Sequence, residues 1–427
     1  MQVMLIVIFI LGYAAIALEH PLKINKTATA LLTGVLCWVV YIVSSTDEHL
    51  VTEQLYEHLG QISGILFFLL GAMTIVEIID AHDGFNVITD KIRTKDKRVL
   101  LWIISFLSFF LSAVLDNLTT TIVMISLLRK LIKEQHTRLY FVGMVVIAAN
   151  AGGAWTPIGD VTTTMLWIGG QITTWNIMKE LILPSLICLM VPLLMLSVKI
   201  KGTIHLLPQD TIENRINRTS RFEQKLFFGL GIGALIFVPV FKTLTHLPPF
   251  MGILFGVALL WIATEIMHRD KNEEDRGAYS VVTALQKADV PSVLFFLGIL
   301  VAISALESTH ILSNLAAYMD KTIGNLDIIV ISIGLLSSIV DNVPLVAAAM
   351  GMYDMQTFAP DHYFWEFIAY SAGTGGSCLI IGSAAGVAAM GMEKVDFVWY
   401  LKKISILALA GYIAGALFFM AQHYLFG

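Results

Sequence analysis

The stretch 112–124, SAVLDNLTTTIVM, constrains this chain most, because it sets an aspartate, an asparagine and three threonines inside the apolar run 99–128. A carboxylate at bilayer depth costs about 3 kcal/mol or more unless it faces a cavity or a partner, so it marks a functional site by default. The pattern returns at 337–347, SSIVDNVPLVA, again inside apolar sequence. Two buried Asp-Asn pairs, one in each half of the chain, read as the two halves of one transport site. Composition supports a bilayer setting: of 427 residues 57% are hydrophobic and 14% charged, and the mean hydropathy is +0.78. Soluble domains carry about 25% charged residues, so the fold class is an all-α polytopic membrane protein. Cys37, Cys188 and Cys378 lie scattered in apolar runs, which argues against a disulfide framework and a structural zinc site.

Charge in the loops gives sidedness. The loop 44–61 carries Asp47, Glu48, Glu53 and Glu57 without a lysine or arginine, whereas 91–98 holds Lys91, Arg93, Lys95, Lys97 and Arg98. The basic loop is therefore cytoplasmic and the N-terminus lies outside. Segment 3–18 lacks a basic flank and a cleavage site, and reads as a retained span rather than a signal peptide. The run 99–128 is followed by Arg129, Lys130, Lys133 and Arg138, so both of its ends are cytoplasmic. Two crossings would have about 15 residues each, short of the roughly 20 a helix needs. A re-entrant hairpin with its tip at 116–119 is expected instead, covered by protein or a water-filled cavity. The next run, 139–170, contains NAGGAWTPIGDVTTT (150–164). Gly152, Gly153, Pro157 and Gly159 oppose a continuous helix there, and a broken span is expected.

The second half repeats the plan with the opposite entry side. The hairpin 326–352 has no basic cluster on its flanks and enters from outside; the span 364–392 is broken by GTGGSCLIIGSAAG (373–386). Three anchors superpose the halves. Gly71 precedes Asp80 by nine residues, as Gly298 precedes Glu307. From these acids to Asp116 and Asp341 the spacings are 36 and 34, and from there to Gly152 and Gly375 again 36 and 34. Three anchors in order at near-equal spacing argue for an inverted-topology repeat with two re-entrant hairpins and two broken helices, the build of secondary transporters. The division expected is N-terminal helices at 1–58, repeat 1 at 59–200, a cytoplasmic linker at 201–225, scaffold helices at 226–290 and repeat 2 at 291–427, with ten crossings in all.

The polar elements expected to converge are the two tips and the two breaks. Asp116, Asn117, Thr119 and Thr120 come from one tip and Asp341 and Asn342 from the other. Asn150, Thr156, Asp160, Thr162 and Thr163 come from the first break, and Thr374, Ser377 and Ser383 from the second. Such oxygen ligands suit a small hard cation, and three acids without a lysine or arginine in the polar cores oppose an anion. Carboxylates also accept protons, so proton and cation can compete for one site. The bland reading is that Asn117 and Asn342 cap the half-helices that follow them, and that Asp80 and Glu307 sit solvated at span ends rather than supporting the ion path.

These stretches, with GYAAIALEHPLKINK and FFLLGAMTIVEIIDAHDGF, make the chain resemble the NhaD-type sodium/proton antiporters of the ion transporter superfamily over nearly its whole length. The resemblance implies exchange of Na⁺ or Li⁺ for H⁺ in the inner membrane, without a cofactor or a nucleic-acid partner, by a homodimer. It also implies that Asp116, Asn117, Asn150, Asp160, Thr162, Thr163, Asn342 and Ser377 matter for transport. Dicarboxylate carriers of that superfamily hold Ser-Asn-Thr at their tips, whereas here Asp comes first and Pro344 stands in the second tip. That departure favours cation exchange over anion uptake; export of an uncharged oxyacid is the other alternative.

Overall fold

The computed structural model describes residues 1–92, 94–203, 219–272 and 276–426. Helix is the regular structure throughout, apart from one isolated bridge between Asp96 and Thr203 among the described residues. Seven helices are long and apolar enough to cross a membrane: Lys26–Ser44, Glu48–Ala81, Thr174–Lys199, Arg221–Thr245, Pro249–His268, Val290–Ser308 and the final one from Ser405. Beside them stand the shorter N-terminal helix Gln2–Ala17 and two interrupted helices, the elements read as the remaining three of the ten expected crossings. The first interrupted helix comprises Gln135–Gly153 and Val161–Ile168, the second Tyr363–Gly375 and Ala384–Glu393. The hairpins are Lys97–Ser112 with Asn117–Leu131, and Leu326–Leu336 with Asn342–Met352.

Each hairpin turns through an aspartate that caps its second arm. Asp116 accepts the Thr119 backbone N–H at 2.6 Å, and Asp341 accepts that of Val343 at 3.3 Å. The cap position falls to the aspartates, so Asn117 and Asn342 are the first helical residues and their buried side chains are free to bond across the molecule.

The same joint is built twice between each hairpin's first arm and the adjacent broken helix. The Ser112 hydroxyl donates to the Ala149 carbonyl at 2.6 Å, and the Ser337 hydroxyl to the Ala372 carbonyl at 2.8 Å. Beside these bonds the backbones touch. A Cβ added to Gly152 would lie 2.1 Å from the Phe109 carbonyl oxygen, and one on Gly375 2.0 Å from that of Gly334. Only glycine permits that approach, which is the physical reason for the glycine pairs seen in the sequence.

Two polar contacts mark the opposite ends. At one face, buried Glu393 at the end of the second broken helix accepts Arg129 at 2.6 Å, from the base of the first hairpin, and Arg138 at 2.8 Å, from the start of the first broken helix. At the other, Asp361 before the second broken helix accepts the Thr173 N–H at 2.6 Å and its hydroxyl at 2.8 Å, just after the first. The hairpins thus enter from opposite sides.

The structure departs from the sequence reading in two places. The acidic segment read as the loop 44–61 is mostly helix: Asp47 caps Glu48–Ala81, which runs 34 residues. At 1.5 Å per residue that is about 50 Å, well beyond the roughly 30 Å hydrocarbon layer. Its Glu, Gln and Leu residues are good helix formers, and Val51 is buried, so charge there signals an extension out of the bilayer. The last span is also split, since Phe397–Lys403 ends at Ile404 before the helix from Ser405 begins. Arg93 lies outside the described residues, as does most of the expected linker, 204–218, including Arg215 and Arg218.

Candidate ion-binding site

The two tips and two breaks meet in a buried polar network centred on Asp160. Asp160 caps Val161–Ile168, because a helix start inside the bilayer leaves backbone donors that need an acceptor. Its Oδ1 accepts the Thr162 N–H at 2.9 Å, the Thr162 hydroxyl at 2.8 Å and the Asn342 amide at 3.4 Å; its Oδ2 accepts the Asn117 amide at 2.6 Å. Three donors crowd Oδ1 and one reaches Oδ2. Asp160 therefore joins the first break to both hairpin tips.

Asn150 performs the corresponding link to the second break. Its Oδ1 accepts the Asn117 amide at 3.0 Å, while its own amide donates to Ser377 at 2.8 Å and Ser383 at 2.9 Å. Ser383 also caps Ala384–Glu393 through the Gly386 N–H at 3.2 Å. Asn117, Asn150, Asp160, Thr162, Asn342, Ser377 and Ser383 thus form one hydrogen-bonded unit across both repeats.

Asp116 is different. Half-buried, it takes the Thr119 hydroxyl at 2.8 Å as well as the Thr119 N–H, both from its own turn. It faces a cavity of about 50 Å³ that is also lined by Asn117, Asp341, Thr164, Lys26 and Phe295. A water needs roughly 10–15 Å³ by this measure, so the space has room for a small cation with a few waters. The carboxylate that organises the network, Asp160, is separate from the two that line the cavity, Asp116 and Asp341.

Several expected members donate to nearby backbone carbonyls rather than into the network. Thr156 donates to the Ala113 carbonyl at 2.7 Å, Thr163 to the Asp160 carbonyl at 2.9 Å, and Thr374 to the Tyr370 carbonyl one turn back at 2.6 Å. These bonds hold the breaks and helices in shape. The buried Thr120 hydroxyl has no partner. Asp80 and Glu307 are not brought to the network; both lie exposed at the ends of their helices.

One charge was missed. Lys26, at the start of Lys26–Ser44, reaches the cavity and sits with Nζ 3.7 Å from Asp341 Oδ2. The polar cores hold no lysine in sequence, but the fold delivers one from 315 residues away. No local signal pairs EHPLKINK with a hairpin tip in the other repeat.

Comparison with known proteins agrees with this architecture. The family model described as citrate transporter, CitMHS, matches residues 6–366. Sodium/proton antiporter 1 of Arabidopsis thaliana is 51% identical over 422 residues, 99% of this chain and 73% of that protein. The chain belongs to the sodium/proton antiporter family. A second family member, the Na(+)/H(+) antiporter NhaD of Vibrio cholerae, is 30% identical, covering 98% of this chain and 91% of its own length. The fold alone is shared with the Alcanivorax borkumensis YdaH transporter, whose crystal structure superposes with a TM-score of 0.57 at 10% identity over 94% of this chain and 98% of that one. Within the antiporter family, then, this chain presents Asp116 to a cavity and keeps Asp160 within the hydrogen-bonded core.

Proposed function

We propose that the chain exchanges Na⁺ or Li⁺ for H⁺ across the plasma (inner) membrane by alternating access, with cation and proton competing for Asp116. The observation that carries this reading is the position of Asp116: its hydrogen bonds come from its own turn, and its carboxylate faces the cavity. A small hard cation shedding part of its water finds oxygen donors there. The carboxylate is also the group that takes the proton when the cation leaves, so one site carries both and no separate proton wire is needed. The network around Asp160 and Asn150 ties the tips and breaks of both repeats into a body that would move together past the scaffold. Three aspartates against one lysine oppose a polyanion such as citrate. A homodimer in the bilayer is part of the proposal, as is operation without a cofactor.

Everted membrane vesicles carrying the protein should dissipate a preformed ΔpH on addition of Na⁺ or Li⁺. Asp116→Asn keeps the helix cap but removes the titrating charge, and should lose at least about 95% of that response, more than a tenfold effect. A folded wild-type protein that ignores Na⁺, Li⁺ and K⁺ between about pH 6 and pH 9.5, a range lying above the ordinary titration of a free carboxylate, would sink the proposal.

A further inference from the structure

Among the described residues the Lys26–Asp341 pair has no counterpart at the other tip, and it joins elements that would part under the alternating access proposed above. Lys26 begins a scaffold helix whose first turn is fixed in place: the Lys26 N–H donates to Glu19 at 3.1 Å, Asn25 caps the helix, and the Thr27 hydroxyl donates to the Pro291 carbonyl at 3.0 Å. Asp341 belongs to the hairpin tip that joins the polar network through its neighbour Asn342. The ammonium crosses the cavity between the two, at 3.7 Å from the carboxylate and 4.5 Å from the centre of the Phe295 ring. Both side chains line the cavity and remain partly exposed, 27% for Lys26 and 19% for Asp341.

We propose that Lys26 is a tethered stand-in for the transported cation: it holds Asp341 when the cavity is empty and yields when an ion enters. Three features support this. The ammonium and a transported cation carry the same charge and seek the same carboxylate oxygens. At 3.7 Å the contact is an ion pair longer than a charge-assisted hydrogen bond, so the ammonium is replaceable. Phe295 offers a cation–π resting place for the displaced ammonium. Lys26 is thereby a positioning residue that lowers the affinity for the ion and lets the empty cavity stay closed over a balanced charge. The inference rests on reading this cavity as the cation site.

The test is equilibrium binding of ²²Na⁺ to the purified full-length protein in detergent, at one alkaline pH, across a charge series at position 26. Lys26→Gln removes the competitor and should tighten binding about fivefold, the scale of losing one like charge through a partly solvated path. Lys26→Arg presents a fork that grips a carboxylate more firmly and should weaken binding two- to fivefold, by roughly that same scale. On an Asp341→Asn background the series should lose its spread. A merely structural lysine would instead weaken binding in both variants through loss of folded protein, which size-exclusion chromatography reads separately. Should Lys26→Gln fail to accumulate, Lys26→Arg carries the test, and an affinity equal to wild type overturns the inference. Wild-type binding with no ordered spread, or a spread that persists without Asp341, overturns it too. Absence of ²²Na⁺ binding by the wild type would sink the cation-site reading itself.

Discussion

The two broken helices share a backbone plan and differ in charge. Asp160 caps the half-helix of the first and Ser383 that of the second, each eight residues past a glycine that touches a hairpin arm. At the position equivalent to Asn150 the second repeat has Gly373, and where it has Thr374 the first has Ala151. The first break thus brings an acid and an amide, and the second supplies small hydroxyls that receive them. The tips divide in a similar way. Asp116 faces the cavity with bonds from its own turn, while Asp341 is held by Lys26. Packing demands symmetry, because both repeats make the same backbone crossing. The polar residues on the two crossings are nevertheless distributed unequally.

The sharpest way to break this comparison is to truncate both caps. Asp160→Ala should reduce Na⁺-driven proton flux in proteoliposomes at least about 100-fold, because it strands the Asn117, Asn342 and Thr162 donors at about 1–3 kcal/mol each. Ser383→Ala removes one cap and one acceptor for Asn150, and should cost about 1 kcal/mol of stability and less than about fivefold in flux. Equal losses would mean that the breaks are functionally equivalent.

A second pair tests the packing symmetry. Gly152→Ala and Gly375→Ala each push a methyl group to within 2.1 Å and 2.0 Å of a carbonyl oxygen. Both should lower stability by about 2–3 kcal/mol, read as similar drops in the detergent melting temperature. Gly60, with open space around its added Cβ, should accept alanine with little change. Unequal drops at Gly152 and Gly375 would show that the two crossings are not packed alike.

The smallest effect is expected at Thr374. Its hydroxyl bonds within its own helix, and its equivalent in the first repeat is an alanine. Thr374→Ala should leave the apparent KM for Na⁺ within about twofold and stability within about 1 kcal/mol. A larger rise in KM would place that hydroxyl in the ion path.

Much of this was legible because the bilayer simplifies the reading. An Asp-Asn pair or a Gly-Gly…Pro…Gly run inside apolar sequence has few physical outlets, so the hairpins and breaks stood out, and their unlike flanks pointed to opposite entry. The segment 44–61 misled, since acidic residues outside a bilayer are as compatible with helix as with loop. The capping question stayed open in sequence because Asp and Asn are about equally good caps; backbone geometry assigned it to Asp116 and Asp341.

The sequence by itself determined the elements and the polar residues on each, because hydrophobic burial and backbone hydrogen bonding act locally along a membrane chain. Only the tertiary structure decided which carboxylate is enclosed by donors, which one faces the cavity, and which one meets Lys26. Those distinctions depend on contacts across 182 residues between Asp160 and Asn342 and across both repeats between Asn150 and Ser383. Electrostatic partners are chosen by distance in space, and no spacing along the chain encodes that distance.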